Sequence, residues 1–145
     1  VLYDEYLKTL SCCPFCSRDN FEGQIISENQ NAALIISLAP YQRHHLLIIP
    51  KKHIEKIIEI SVEEAKDISE LQNKAIKILY ALNYADMSVL VREGENIGKS
   101  VRHLHYHVIP EVLIGTTEVN MIERRIATKN EISELLDEFK SVLNI

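Results

Sequence analysis

Residues 103–110 read His-Leu-His-Tyr-His-Val-Ile-Pro, with a histidine at every second position and a bulky apolar or aromatic residue between. No other stretch limits the fold as much. Side chains two apart on a strand share a face about 7 Å apart. On a helix the same spacing would turn them to nearly opposite sides. The alternation therefore calls for a strand over residues 101–109. It would carry His103, His105 and His107 on one face, with Leu104, Tyr106 and Val108 turned to a core. The plain alternative is a half-buried strand whose polar face happens to be histidine, an uncommon strand residue that needs partners there.

The rest of the chain supplies a sheet to receive that strand. Residues 24–27 and 32–38 read as two strands about the turn Glu28-Asn29-Gln30-Asn31, and Leu46–Ile49 as a third that stops at Pro50. Ser61-x-x-Glu64 has the spacing of a capping box. Ala65, Ile68, Leu71, Ala75, Ile78, Leu79 and Leu82 then recur at three and four residues, one face of a long helix. Met87–Val91 is a fourth strand. Thr128-x-x-Glu131 opens a last helix with the stripe Ile132, Leu135, Leu136, Phe139, Val142 and Leu143. The expected class is α+β, an antiparallel five-stranded sheet with a long central helix and a C-terminal helix. No repeat, linker or shift of composition divides residues 1–145, so a single domain is expected.

Charge and cysteine usage exclude several functions. A formal net charge of -5 argues against a nucleic-acid binder, which would be basic. No apolar run has the length of a membrane span, and none reads as a signal peptide, so no membrane partner is expected. The 3 cysteines, Cys12, Cys13 and Cys16, are an odd number crowded into one short segment. That is a poor disulfide framework and points to the cytoplasm, with Cys13-Pro14-Phe15-Cys16 as a metal or redox pair. A thioredoxin-like role lacks the surrounding βαβ pattern, and reduced core thiols are the plainer alternative.

The histidines themselves admit three chemistries. Two of the row, with His45, would suit a catalytic zinc ion. The row would equally suit a structural ion. In the third reading a neutral imidazole is the nucleophile, and its neighbours handle charge and protons.

Several motifs then occur together. His103-Leu104-His105-Tyr106-His107-Val108-Ile109 matches the alternating His-φ-His-φ-His-φ-φ signature, with φ apolar, of the histidine triad superfamily. Residues 45–53, His-Leu-Leu-Ile-Ile-Pro-Lys-Lys-His, resemble that family's strand ending in Pro-Lys-x-His. Gly98-Lys99-Ser100-Val101 is similar to its Gly-Gln-Ser-Val, and Cys13-Pro14-Phe15-Cys16 to the Cys-x-x-Cys of many bacterial members. The resemblance runs from residue 13 to about residue 110 in one order and spacing.

It implies a nucleotide hydrolase or nucleotidyl transferase cleaving at an α-phosphate, of a dinucleoside polyphosphate or a nucleoside phosphoramidate. His105 would be the nucleophile that forms a nucleotidyl-histidine intermediate. An ordinary imidazole pKa near 6.5 leaves most of that group neutral at pH 7. His107 and His45 would donate to phosphate oxygens, and Ser100 would lie near the leaving-group oxygen. The resemblance also implies structural zinc on Cys13, Cys16, His53 and His103, and a homodimer. A nucleotide-binding regulatory module with little turnover, and a phosphorylase using inorganic phosphate, are the alternatives.

Four positions depart from the family's pattern. Ser37 stands eight residues before His45, where an Asp or Asn usually meets the ribose, and His44 replaces a glycine. Lys99 replaces the phosphate-contacting Gln, and Arg92 an upstream Asn. Two neutral donors have thus become cations, which favours a more highly charged leaving group or acceptor. Arg92 read plainly is a solvated strand end. The segment Gly94–Ser100 looks like a P-loop but has one residue too few between its glycines, and a strand follows it rather than a helix.

Overall fold

β-Branched and leucine-rich stretches pair into one sheet whose two faces are both covered, so its inner strands carry no polar alternation. The computed structural model describes residues 1–10, 13–94, 101–112 and 124–143. In chain order the elements are α1 (Tyr3–Lys8), β1 (Ile25–Glu28), β2 (Ala32–Ile36), β3 (Leu46–Pro50), α2 (Val62–Ala81), β4 (Met87–Val91), β5 (Tyr106–Pro110) and α3 (Lys129–Leu143). Every neighbouring pair of strands is antiparallel, in the order β1-β2-β3-β5-β4.

Pleating separates the residues of β2 and β3 onto two cores. Leu34, Ile36, Leu46 and Ile48, with Val108 of β5, face α2 and α3, where Ile68, Leu71, Ala75, Ile78, Leu79, Ile132, Leu135 and Phe139 complete the main cluster. Ala33, Ile35, Leu47 and Ile49 face the other way, against Phe15, Phe21 and Val101, with Tyr3 and Leu7 of α1 packed alongside. His107 lies opposite Leu47 in the ladder and therefore on this second side.

Both helices begin as expected. Ser61 Oγ accepts from the Glu64 N–H at 3.1 Å while Glu64 Oε1 accepts from the Ser61 N–H at 3.0 Å. Thr128 and Glu131 make the same reciprocal pair. Asn83, with φ 70°, takes the left-handed position just past α2. One position of the stripe is corrected: Ala65 is exposed, and the capping Glu64 is buried in its place.

The larger correction concerns the histidine row. β5 begins at Tyr106, so of the three histidines only His107 stands on the strand. The reason is local. Continuing the ladder would set Leu104 against Pro50, which has no N–H to give. Instead the Leu104 N–H donates to Ile54 O at 2.7 Å, and the Pro50 carbonyl accepts from the His103 ring at 2.8 Å. β2 likewise ends at Ile36 rather than residue 38, although the Ser37 N–H still donates to His45 O at 3.1 Å.

Candidate active site

The second face of the sheet is closed over by the N-terminal segment, and a cleft remains between them. About 690 Å³ of empty space lies in it, open solvent at its mouth included. His105 and His107 line it together with Ser37, Arg92, Phe15 and Arg124. Lys99 and Ser100 lie outside the described residues.

Hydrogen bonds fix the direction of each imidazole. The Tyr41 N–H donates to His45 Nδ1 at 3.2 Å, so the proton of neutral His45 is on Nε2. That N–H donates to His107 Nδ1 at 2.9 Å, which leaves the His107 proton on Nε2. His105 faces a carbonyl instead: its Nδ1–H donates to His103 O at 2.9 Å, so its basic lone pair is on Nε2. The His105 and His107 rings are 4.9 Å apart, in edge contact. The broken strand thus sets one imidazole whose basic nitrogen is Nε2 beside one whose Nε2 carries the proton.

Burial decides the charge of the supporting pair. His45 is 0% exposed and His107 6%. Burial first, then the nearby Arg124 guanidinium and His105, brings the His45 pKa down to about 3. Burial, with His45, His105, Arg92 and Arg124 beside it, likewise holds His107 well below the usual histidine range. Both are neutral donors near pH 7.

A stability prediction follows from His45. An unfolded histidine takes up its proton near pH 6.5, whereas the folded His45 resists until about pH 3. Between those values the unfolded state binds more protons, so stability rises with pH and is lost as pH falls. Thermal melting followed from pH 7 to pH 4 should show a steeper loss in the wild type than in His45→Gln. Equal slopes would contradict the assignment of a neutral buried His45.

Beside the cleft, Cys13, Cys16, His53 and His103 bring one donor atom each within 4.8 Å of one another. Cys16 Sγ is 3.0 Å from His53 Nδ1 and 3.6 Å from His103 Nδ1, and Cys13 Sγ is 3.5 Å from His103 Nδ1. Donors around a tetrahedral zinc ion stand about 3.5 Å apart. The outer nitrogens fit as well: His103 Nε2–H donates to Pro50 O, and His53 Nε2 meets Glu55 Oε2 at 3.2 Å. With those protons engaged, both Nδ1 lone pairs turn to the sulfurs, the arrangement of imidazole ligands supported by outer acceptors. The four residues fit a metal ion.

Not every feature of the site was visible in the chain. The sequence gives no sign of Arg124, Tyr3 or Tyr41 at the cleft. Phe15 was legible only as the residue between two cysteines. Here it stands edge-on to His103 at 5.9 Å and to His105 at 5.4 Å, joining the cluster to the cleft wall. His44 turns away from the cleft, its ring between Tyr84 Oη at 2.5 Å and Glu138 Oε1 at 2.9 Å.

These observations define a class: an α+β domain in which an antiparallel sheet and the segment leading into its strand β5 bring His107 and His105 to a cleft. The chain belongs to the HIT domain family, whose model matches residues 18–112. It is 32% identical over 101 residues to the adenosine 5'-monophosphoramidase hnt1 of Schizosaccharomyces pombe, covering 68% of this chain and 74% of that one. A hypothetical histidine triad nucleotide-binding protein of Sulfolobus tokodaii superposes with a TM-score of 0.74 at 25% identity, over 91% of this chain and 92% of the other. A zinc-bound histidine triad family protein of Mycobacterium smegmatis shares the fold, with a TM-score of 0.64 at 18% identity over 98% and 91% of the two chains.

Proposed function

We propose that this protein is a nucleotide hydrolase or nucleotidyl transferase that acts at an α-phosphate through a covalent intermediate on His105. The observation that carries the reading is the His105 Nδ1–H to His103 O hydrogen bond of 2.9 Å, which places the lone pair on Nε2 in the cleft. Nε2 attacks the α-phosphorus and a P–N bond forms. The bond to the leaving polyphosphate or amine breaks, and that group takes its proton from solvent. The carbonyl at Nδ1 stabilises the positive charge that develops on the ring. His107 Nε2–H donates to a non-bridging phosphate oxygen, with His45 holding the tautomer from behind. Water then attacks the same phosphorus, the P–N bond breaks with its electron pair returning to Nε2, and the water's proton passes to solvent. Nucleoside monophosphate leaves. Ser37 and Arg92, both in the cleft lining, would bind the ribose and phosphate, and Lys99 and Ser100 belong to the same reading.

Zinc on Cys13, Cys16, His53 and His103 would serve as a cross-link between the N-terminal segment and the segment that carries the nucleophile. A closed set of four protein ligands leaves no open position, so its work is structural. The named activity of the yeast relative and the zinc of the mycobacterial one support these two assignments. A cytoplasmic homodimer completes the reading by resemblance.

The test is product analysis with diadenosine tetraphosphate and with an adenosine phosphoramidate. AMP and ATP from the first, with or without inorganic phosphate, is the expected result. ADP and ATP formed only with phosphate would make the protein a phosphorylase, and turnover of the phosphoramidate alone would narrow it to that class. Failure to turn over either compound would contradict the proposal.

A further inference from the structure

His44 turns its ring away from the cleft, yet it immediately precedes His45 and is buried. It stands where the family's pattern has a glycine, so the work of its side chain is this chain's own. The ring closes a chain of hydrogen bonds drawn from three parts of the fold. Gln42 Nε2–H donates to Tyr84 Oη, between α2 and β4, at 3.0 Å. His44 Nε2–H donates to Glu138 Oε1 of α3 at 2.9 Å, because a carboxylate only accepts. The neutral ring then takes the Tyr84 hydroxyl proton at Nδ1, at 2.5 Å. The His44 N–H donates to Gln42 Oε1 at 2.6 Å, and Phe139 meets the ring edge-on at 5.4 Å. Glu138 Oε2 also accepts from Arg43 at 3.0 Å, but that side chain is 56% exposed against 10% for His44, so the buried bond carries the contact.

What this network holds is a turn. The His45 N–H donates to Gln42 O at 3.0 Å, closing residues 42–45, and both central residues, Arg43 and His44, are tied to one carboxylate. Tyr41, just before the turn, supplies the N–H that meets His45 Nδ1 at 3.2 Å. That contact selects between two arrangements of the buried imidazole pair. With the Tyr41 N–H at Nδ1, His45 gives its Nε2 proton to His107 Nδ1, and His107 keeps its own on Nε2. In the reverse arrangement both protons sit on Nδ1. His107 then donates to His45, and its Nε2 has no proton to offer. The bond between the two rings serves either arrangement, so the selection falls to the Tyr41 N–H. Its reach of 3.2 Å is at the long end of ordinary hydrogen bonds, and a small shift of the turn gives it up.

We infer that His44, held by Gln42, Tyr84 and Glu138, is a positioning residue that fixes the polarity of the His45–His107 pair and so keeps a proton on His107 Nε2 for the substrate phosphate. The consequence for turnover rests on the nucleotide reading given above, whereas the polarity itself does not.

The experiment is nitrogen NMR of isotope-labelled histidine rings in the full chain at pH 7, beside kcat and KM for diadenosine tetraphosphate and the adenosine phosphoramidate. It compares wild type with His44→Ala, Tyr84→Phe, Glu138→Ala and Glu138→Gln, with circular dichroism to check each fold. In the wild type both His45 and His107 should be protonated at Nε2. His44→Ala, Tyr84→Phe and Glu138→Ala should move both rings together toward the Nδ1 form. They should lower kcat about three- to tenfold, the range of one neutral hydrogen bond, with KM moved less. Glu138→Gln keeps an oxygen for His44 Nε2–H and should retain the wild-type tautomers and most of kcat. In a His107→Ala background, His44→Ala should cost nothing further, because the donor it orients is gone, whereas a general structural defect would add its loss there too. Wild-type tautomers in folded His44→Ala, or the same loss of kcat in the His107→Ala background, would overturn the inference. If His44→Ala fails to fold, Tyr84→Phe, which keeps its ring, decides by the same readings. Reversed tautomers with kcat unchanged would overturn the link to turnover and, with it, His107 as the phosphate donor. A wild type that turns over neither compound would overturn the nucleotide reading, and the tautomers would still decide the polarity.

Discussion

His105→Ala should lower turnover by about four orders of magnitude or more while leaving the fold and nucleotide affinity in place. The size follows from the role proposed for it. Without Nε2 there is no covalent route, and His107, held by His45, remains only to bind the phosphate. The fold should survive because the core contacts of this segment are made by Leu104, Val108 and Ile109, each at most 1% exposed, and by Val101 at 5%. His105 is partly exposed and contributes a ring contact to Phe15 and one to His107. Steady-state kinetics, with circular dichroism and AMP binding as controls, checks this. A variant that keeps a tenth of the wild-type rate would exclude His105 as nucleophile. His107→Ala should be milder, because it removes one donor to a phosphate oxygen and not the bond-forming atom, costing about two to three orders of magnitude.

The second large effect concerns the metal. Protein purified without chelators should carry about one zinc ion per chain, bound by two thiolates and two imidazoles. Cys16→Ser should lose it and lower the melting temperature by about 10 °C or more, since a structural ion binds the folded state and not the unfolded one. The nucleotide site should suffer too. Phe15 lies between the two cysteines and forms part of the cleft wall, while His103 offers its ring to the metal set and its carbonyl to His105. KM should therefore rise on metal removal, and catalysis by residual folded enzyme should not need zinc as a Lewis acid. Elemental analysis that finds no zinc, or a Cys16→Ser variant with unchanged melting, would contradict the site.

Much of this was legible in the chain because it depended on local pattern. The strands around Asn29–Asn31 and the long helix were marked by apolar runs, turn residues and capping boxes, and their ends moved by only a residue or two. The cysteine–histidine cluster was legible through the resemblance, which matched Cys13, Cys16, His53 and His103 to a known ligand pattern. The place of Arg124 in the cleft wall was not. It depends on residues 124–126 pairing with residues 1–3, a contact across nearly the whole chain that no periodicity announces. The six residues of α1 are also too few to be read as a helix. The histidine row was half legible. Its alternation gave the right face for His107, but the loss of the ladder at Pro50 turned His103 toward the cysteines and gave His105 a carbonyl to lean on. Sequence alternation implies equivalent histidines; the missing N–H of one proline makes them unequal.

The measurement that bears most directly on the account is capture of the intermediate. Wild-type protein is mixed with a labelled adenylyl donor such as diadenosine tetraphosphate and quenched within the first turnover. Peptide mass spectrometry then maps any adduct under conditions that preserve P–N bonds. The account predicts one adenylyl group, on His105, that forms and decays at rates compatible with turnover and is absent from His105→Ala. An adduct on another residue, or turnover with no adduct when its decay is slow enough to trap, would contradict it.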